Sequence, residues 1–178
     1  MPKPLNVIVA CSENRVIGRG GRIPWRIPED MKFFHDETAG QICVLGRVCY
    51  DTWPRVRMDG RRPVVMTSRP LPTANVSSGS MDLNSPIGVR SLPEALAVAE
   101  SLPGEIYICG GQRIYEETFA LKRPLILHLT LIHARIEGDT FFPEWRHLPA
   151  RELTRRESRD ENYSYTFFTL EFGGQTKR

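Results

Sequence analysis

The sequence predicts an α/β fold, a sheet with helices on both faces. Short apolar, β-branched runs alternate with stretches that carry helix-start signals, as strands joined by helical crossovers do. The last such run, Tyr163–Phe172, alternates polar and apolar residues instead, which marks an antiparallel strand. The length of 178 residues suits one domain able to bury its own core.

Leu5–Cys11 is a short buried strand. Residues 12–27 form a long loop rich in Gly, Arg and Pro, and loops of that length in compact domains are usually functional. Pro28 suits the first position of a helix that runs to about Thr38. Ile42–Leu45 is a second buried strand, ended by Gly46, and the short helix after it stops near Pro54. Pro63–Thr67 is a third strand. Residues 70–90 carry Pro, Ser, Gly and Asn with little periodicity, a surface excursion with short strands around Val76 and Val89. Ser91-Leu92-Pro93-Glu94 reads as a capping box opening a helix through about Ser101. Glu105–Cys109 is a strand, and Gly110-Gly111 leads from it into a helix that begins near Gln112. Leu125–Ile132 is a further strand. No internal repeat or interdomain linker interrupts residues 1–172, and the tail Gly173–Arg178 is expected to be loose.

Composition is that of an ordinary globular chain, with 40% apolar and 25% charged residues. A net charge of +3, nearly all of it from arginine, suits an anionic small ligand as well as nucleic acid. Recognition of nucleic acid would want aromatic platforms interleaved with Arg or Lys, and the arginines here are scattered. Cys11, Cys43, Cys49 and Cys109 form no C-x-x-C pair and read as reduced, largely buried thiols of a cytoplasmic protein. The four histidines show no metal-ligand spacing, so no metal is expected. Val7–Ala10 is too short for a signal peptide, and no stretch approaches a membrane span.

Asp30 is the residue that most demands a function. Pro28 at the helix start places it in the first turn, where a carboxylate is favoured by the helix dipole. Ile27, Met31 and Phe34 share its face, and an acid among such neighbours has a raised pKa. It is then an acceptor suited to a flat, amidine-like edge, met through two parallel hydrogen bonds. Taken alone, a dipole-stabilised carboxylate is the simpler account. Gly46-Arg47 and Gly110-Gly111 are two strand-to-helix junctions at which backbone N–H groups can meet phosphate. Neither is a G-x-G-x-x-G or P-loop motif, and either alone is an ordinary tight turn.

Several motifs in one order make the sequence specific. Val16-Ile17-Gly18, Ile23-Pro24-Trp25, Asp30, Phe34, Leu45-Gly46-Arg47, Thr52-Trp53-Pro54 and Gly60-Arg61 are followed by Gly110-Gly111-Gln112-Arg113-Ile114-Tyr115, Glu137-Gly138-Asp139-Thr140-Phe141-Phe142-Pro143 and Tyr163-Ser164-Tyr165. With these the chain resembles the bacterial-type dihydrofolate reductases over nearly its whole length. The resemblance implies a central, mostly parallel eight-stranded sheet with an antiparallel C-terminal edge strand. It implies NADPH-dependent reduction of 7,8-dihydrofolate, sensitivity to antifolate inhibitors as a class of ligand, and a monomer as the family's default.

The resemblance also implies roles. Asp30 binds the pterin at N3 and the 2-amino group, Thr130 hydrogen-bonds that carboxylate, and Trp25 positions a water near it. Ile8 and Cys109 offer strand-end carbonyls to the pterin 4-position. Met31, Phe34 and Trp53 line the remainder of the substrate pocket. Arg61 clamps the α-carboxylate of the glutamate tail, with Arg55 near it. Ala10, Ile17 and Gly18 line the nicotinamide under a mobile lid at residues 16–27. Gly46, Arg47, Cys49, Gly110, Gly111, Gln112, Arg113 and Ile114 surround the pyrophosphate side, and Thr140 is a further cofactor-binding residue. Arg47, Ser68, Arg69 and Arg90 gather around the adenosine 2′-phosphate and favour NADPH over NADH, and Thr67 is a further cofactor-binding residue.

The chain departs from the family at four places. Cys49 stands for a threonine, Gln112 for a small residue, Trp53 for an aliphatic, and the 70–90 excursion is longer than in compact bacterial members. A related NADPH-dependent pterin or pyrimidine reductase of the riboflavin-pathway type would keep Gly110-Gly111 without needing Asp30 or Arg61.

Overall fold

The computed structural model describes residues 2–71 and 84–173. In chain order the elements are β1 (Leu5–Ser12), β2 (Val16–Gly18), α1 (Pro28–Thr38), β3 (Ile42–Gly46), α2 (Arg47–Thr52), β4 (Arg62–Met66), β5 (Ile87–Val89), α3 (Leu92–Ser101), β6 (Ile106–Gly110), α4 (Gln112–Ala120), β7 (Leu125–Ile132), β8 (Thr140–Phe141), β9 (Ala150–Arg159) and β10 (Ser164–Phe172). Eight strands form one sheet in the order β5-β4-β3-β6-β1-β7-β10-β9, and β2 pairs with β8 separately. The pairs from β5 to β7 are parallel, and β10 is antiparallel to both β7 and β9.

Side-chain alternation assigns the helices to faces. Ile42 and Val44 of β3, with Leu5, Val7 and Val9 of β1, pack with Leu92, Ala95 and Leu96 of α3 and Ile114 and Tyr115 of α4. Cys43 and Leu45, on the other face of β3, pack with Cys49 and Tyr50 of α2. Ala10 and Phe167 pack with Phe33 of α1 on that second face. Helices α3 and α4 therefore cover one side, and α1 and α2 the other.

Two sequence signals act where they were expected. Pro28 is the first residue of α1, after an extended Ile27. Ser91 Oγ accepts from the Glu94 N–H at 3.3 Å and opens α3. The return bond of the box is shifted by one residue, because Glu94 Oε2 accepts from the Arg90 N–H at 3.0 Å. The strand expected around Val76 lies outside the described residues.

The sheet ends differently from the sequence expectation in one respect. The C-terminal strand β10 is antiparallel as expected, but β9 lies outside it and forms the edge. Ala150–Arg159 reads ARELTRRESR, with polar residues on both faces and most positions exposed. Period-two hydrophobicity cannot reveal such a strand, which is held by its register with β10. The expected loop 12–27 likewise contains one strand of a two-stranded ribbon, with Val16 opposite Phe141 and Gly18 opposite Thr140. These strands are too short for a periodic signal.

Candidate active site

Asp30 and Thr130 meet across the sheet surface. Thr130 is 1% exposed on β7, paired with Ala10 of β1, and its hydroxyl donates to Asp30 Oδ1 at 2.7 Å. That leaves Oδ2 and a second lone pair of Oδ1 for a ligand. Burial raises the Asp30 pKa to about 6, against the Thr130 bond, which lowers it. Trp25 is buried with Val16, Ile27, Ile132, Tyr165 and Phe167 beneath the loop before α1. Glu29, beside Asp30, accepts from Tyr165 Oη at 2.9 Å and Arg156 Nη1 at 3.2 Å. The start of α1 is thus tied to the β9–β10 hairpin, a contact no local sequence pattern announces.

The strands beside this acid separate where a ligand would enter. Pairing of β1 with β7 runs to Ser12 opposite Ile132, whereas pairing with β6 stops at Val7 opposite Ile108. Ile8 and Cys109 are the next residues on the two parting strands. Sequence reasoning missed Tyr115, whose buried hydroxyl donates to the Ile8 carbonyl at 2.7 Å. Its signal was its place one helical turn after Gly111 in the quoted motif. Burial raises the thiol pKa of Cys109 well above the ordinary value, with Cys43 beside it adding to the effect.

On the far side, Phe34 of α1 and Trp53 after α2 face each other with ring centroids 4.8 Å apart. Met31 is exposed and, with Arg55, His35 and Asp59, lines a groove of about 550 Å³. Arg61 is fully buried. Its Nε donates to Thr38 Oγ1 at 2.9 Å, Nη1 to Asp59 Oδ2 at 2.8 Å and Met58 O at 3.0 Å, and Nη2 to His35 O at 2.6 Å. A bidentate contact to a ligand carboxylate therefore requires Asp59 to give way. Asp59 also bonds Arg55 Nη2 at 2.9 Å, and the two arginines hold its pKa below the usual range.

The two glycine junctions lie side by side at the ends of β3 and β6. A Cβ on Gly46 would lie 3.9 Å from both the Gly110 carbonyl oxygen and the Gly111 nitrogen, and 3.5 Å from Ile114 Cδ1. Gly110 has φ +111, a conformation that favours glycine, and the Gly110–Gly111 peptide is cis. Neither helix start carries a side-chain cap. The first intrahelical bond of α4 is Tyr115 N–H to Gly111 O, so the N–H groups of Gln112, Arg113 and Ile114 have no intrahelical partner. Uncapped donors over close-packed glycine fit a dinucleotide pyrophosphate. The Arg113 guanidinium instead pairs with Glu117 on the exposed face of α4, so only its backbone faces the junction. Cys49 Sγ sits 3.6 Å from where a Gly111 Cβ would be, and burial raises its pKa.

Arg47 joins the expected phosphate cluster to α2. It bonds both Asp51 carboxylate oxygens at 3.0 and 3.1 Å and reaches Thr67 Oγ1 and the Arg69 carbonyl at 3.4 Å. The Thr67 N–H donates to Val89 O, which sets Arg90 beside exposed Ser68 at the ends of β4 and β5. The loop after β2, the expected lid, is held by Asp139 just before β8. Asp139 Oδ2 accepts from the Gly20 N–H at 2.8 Å, and the Asp139 N–H donates to Gly18 O at 3.0 Å. Gln112 Oε1 accepts from the Phe141 N–H at 2.8 Å, linking α4 to the same ribbon. Ile17 packs against the main core from this ribbon.

Comparison with known proteins gives one consistent result. The profile described as dihydrofolate reductase matches residues 4–172. Dihydrofolate reductase HdrB of Haloferax volcanii is 36% identical over 177 residues, covering 93% of this chain and 81% of that protein. Dihydrofolate reductase of Neisseria gonorrhoeae is 34% identical over 165 residues, covering 92% and 94% respectively. A solved structure of the Enterococcus faecalis dihydrofolate reductase, complexed with NADP(H) and RAB-propyl, superposes with a TM-score of 0.79. It is 30% identical and covers 96% of this chain and 97% of that one.

Proposed function

The chain belongs to the dihydrofolate reductase family, and we propose that it reduces 7,8-dihydrofolate to 5,6,7,8-tetrahydrofolate in folate and one-carbon metabolism. It is an NADPH-dependent oxidoreductase. The observation that carries the substrate assignment is the Thr130–Asp30 pair at the start of α1, with buried Arg61 bonded to His35 and Thr38 toward the other end of that helix. A riboflavin-pathway reductase of this fold would need neither the acid nor the arginine.

The two Asp30 carboxylate oxygens accept the two parallel donors of the pterin edge, while the Thr130 hydroxyl occupies a second lone pair of Oδ1 and fixes the group. Ile8 and Cys109 receive the opposite pterin edge at the parting of β1 and β6, with Tyr115 orienting the Ile8 carbonyl. NADPH, when bound, supplies the hydride that reduces pterin C6. The N–H groups of Gln112, Arg113 and Ile114 hold its pyrophosphate, and Arg47, Ser68, Arg69 and Arg90 its 2′-phosphate. Ala10, Ile17, Gly18 and Thr140 border the nicotinamide pocket, and the lid excludes bulk water from it.

The N5 proton comes from a water admitted near Trp25. Asp30 acts as anchor and polariser of the ring rather than as the direct donor. The chain works as a single cytoplasmic domain over residues 1–172, as a monomer, and antifolates compete for the pterin site. Following NADPH absorbance with dihydrofolate, with and without a folate analogue, tests the proposal. Analogue-sensitive oxidation is expected, and no oxidation by the folded protein would overturn it.

A further inference from the structure

We propose that Trp53 is a specificity-determining residue that gates the aryl slot of the substrate site, held across that slot by His35. The inference rests on the folate reading above and concerns the position where this chain carries an indole in place of the family's aliphatic side chain. Helix α2 ends at Thr52, and Pro54 drives the residue before it into extended backbone. Trp53 accordingly has φ −107 and ψ 95, and its indole meets α1.

Three groups hold the indole there. Its Nε1–H donates to His35 Nε2 at 3.3 Å, and the two ring planes are within 14° of parallel with centroids 6.1 Å apart. The Arg61 guanidinium stands 5.1 Å from the indole centroid. Phe34 lies on the remaining side, with centroids 4.8 Å apart and planes tilted by 48°. An aryl ring inserted between Phe34 and Trp53 would need about 7 Å, twice the ~3.5 Å contact separation of carbon atoms. The observed spacing excludes it.

A ligand whose heterocycle carries an aryl tail must swing the indole aside and break the His35 bond. A tail-less pterin leaves both in place. The slot therefore weighs against tailed ligands by the strength of the latch, and His35 is its positioning residue. His35 accepts only when neutral. Burial and the facing Arg61 and Arg55 lower its pKa, while Asp59 and Asp36 oppose them. The main chain of His35 is engaged separately, because its carbonyl accepts from Arg61 Nη2.

The test compares dissociation constants of 7,8-dihydrofolate and 6-methyl-7,8-dihydropterin for the wild type and for Trp53→Leu, His35→Phe and His35→Gln. Trp53→Leu and His35→Phe should each shift the ratio toward the tailed ligand by about three- to tenfold, the span of one net hydrogen bond. His35→Gln retains an acceptor and should return the ratio toward that of the wild type. An unmoved ratio, or one shifted against the tailed ligand, makes Trp53 a plain wall and overturns the gate.

The wild type gives a second reading, for which the His35→Gln variant serves only to assign a resonance. The Trp53 indole N–H resonance, identified by its displacement in His35→Gln, should move on adding dihydrofolate and stay on adding the methylpterin. The same response to both ligands overturns the gate. If the wild type binds neither ligand, the folate reading itself falls. If it binds both and the ratio ignores Trp53, only the gate falls.

Discussion

Thr130 and Asp30 are separated by 100 positions in sequence and joined by a single 2.7 Å hydrogen bond from hydroxyl to carboxylate. The bond turns one oxygen of a buried acid toward the sheet and the other toward the cleft. It also opposes burial in setting the acid's pKa near 6. Removing either partner therefore changes both the geometry and the titration of the site.

Thr130→Val keeps the β-branched shape and removes the donor. Asp30 then loses the one contact that favours its ionised form. The Asp30 ionisation in the pH profile of kcat/KM should move up by about half to one unit, matching ~1 kcal/mol for the bond. kcat/KM at neutral pH should fall roughly tenfold, since the carboxylate is no longer oriented. A profile that stays in place would show that the bond does not set the acid's titration.

Asp30→Asn should lose turnover and gain stability. Without the carboxylate, kcat/KM at neutral pH should drop by about 10²–10⁴, with partial recovery at low pH where dihydrofolate arrives already protonated. The stability effect follows from linkage. The Asp30 pKa rises from 3.8 unfolded to about 6 folded, so the folded state binds more protons between those values. Ionisation thus costs stability that is unaffected below about pH 4, falls through pH 4–6, and is lowest above pH 6. Two units correspond to at most ~3 kcal/mol. Urea unfolding should show Asp30→Asn more stable than wild type by about 1–3 kcal/mol at pH 7, with the gap closing toward pH 4.

Asp139→Ala frees the Gly20 N–H and loosens the lid on the nicotinamide side. A hydrogen bond to a carboxylate contributes about 1.5–3 kcal/mol. Single-turnover NADPH oxidation should slow by roughly tenfold or more, with the urea midpoint lowered by no more than the bond's own contribution. Equal single-turnover rates would remove Asp139 from lid closure.

Arg61→Lys should not behave as a pure binding mutation. The guanidinium satisfies Thr38, Met58, Asp59 and the His35 carbonyl from a fully buried position, and an ammonium cannot reproduce that fork. Stability should fall by about 3 kcal/mol, and KM for dihydrofolate should rise at least tenfold. A variant as stable as wild type with only a raised KM would confine Arg61 to ligand binding.

Much of this site was legible because its signals are local. Pro28 fixes where α1 starts and hence where Asp30 stands, and paired glycines at strand ends mark places where backbones approach. What stayed hidden depends on distant partners. Nothing in ARELTRRESR says strand, because β9 exists through its register with β10 rather than through a buried face. Val16–Gly18 pairs with Thr140–Phe141 across more than a hundred residues of chain, over strands too short to alternate. The sequence likewise showed that Arg61 could hold a carboxylate, but not that Asp59 already holds Arg61.

The tether from Glu29 to Tyr165 and Arg156 gives this protein a particular order of assembly during synthesis. Glu29 precedes Arg156 by 127 residues and Tyr165 by 136, so the hairpin that steadies its helix is made much later than the helix itself. A nascent chain can pair β1, β3 and β6 early, and Thr130 of β7 can reach Asp30, but the second anchor of that turn forms only once Tyr165 has left the ribosome. The surface around Asp30 is therefore complete only after the β9–β10 hairpin has been made. Such late, long-range closure is the slow step expected of a chain whose decisive contacts span its whole length.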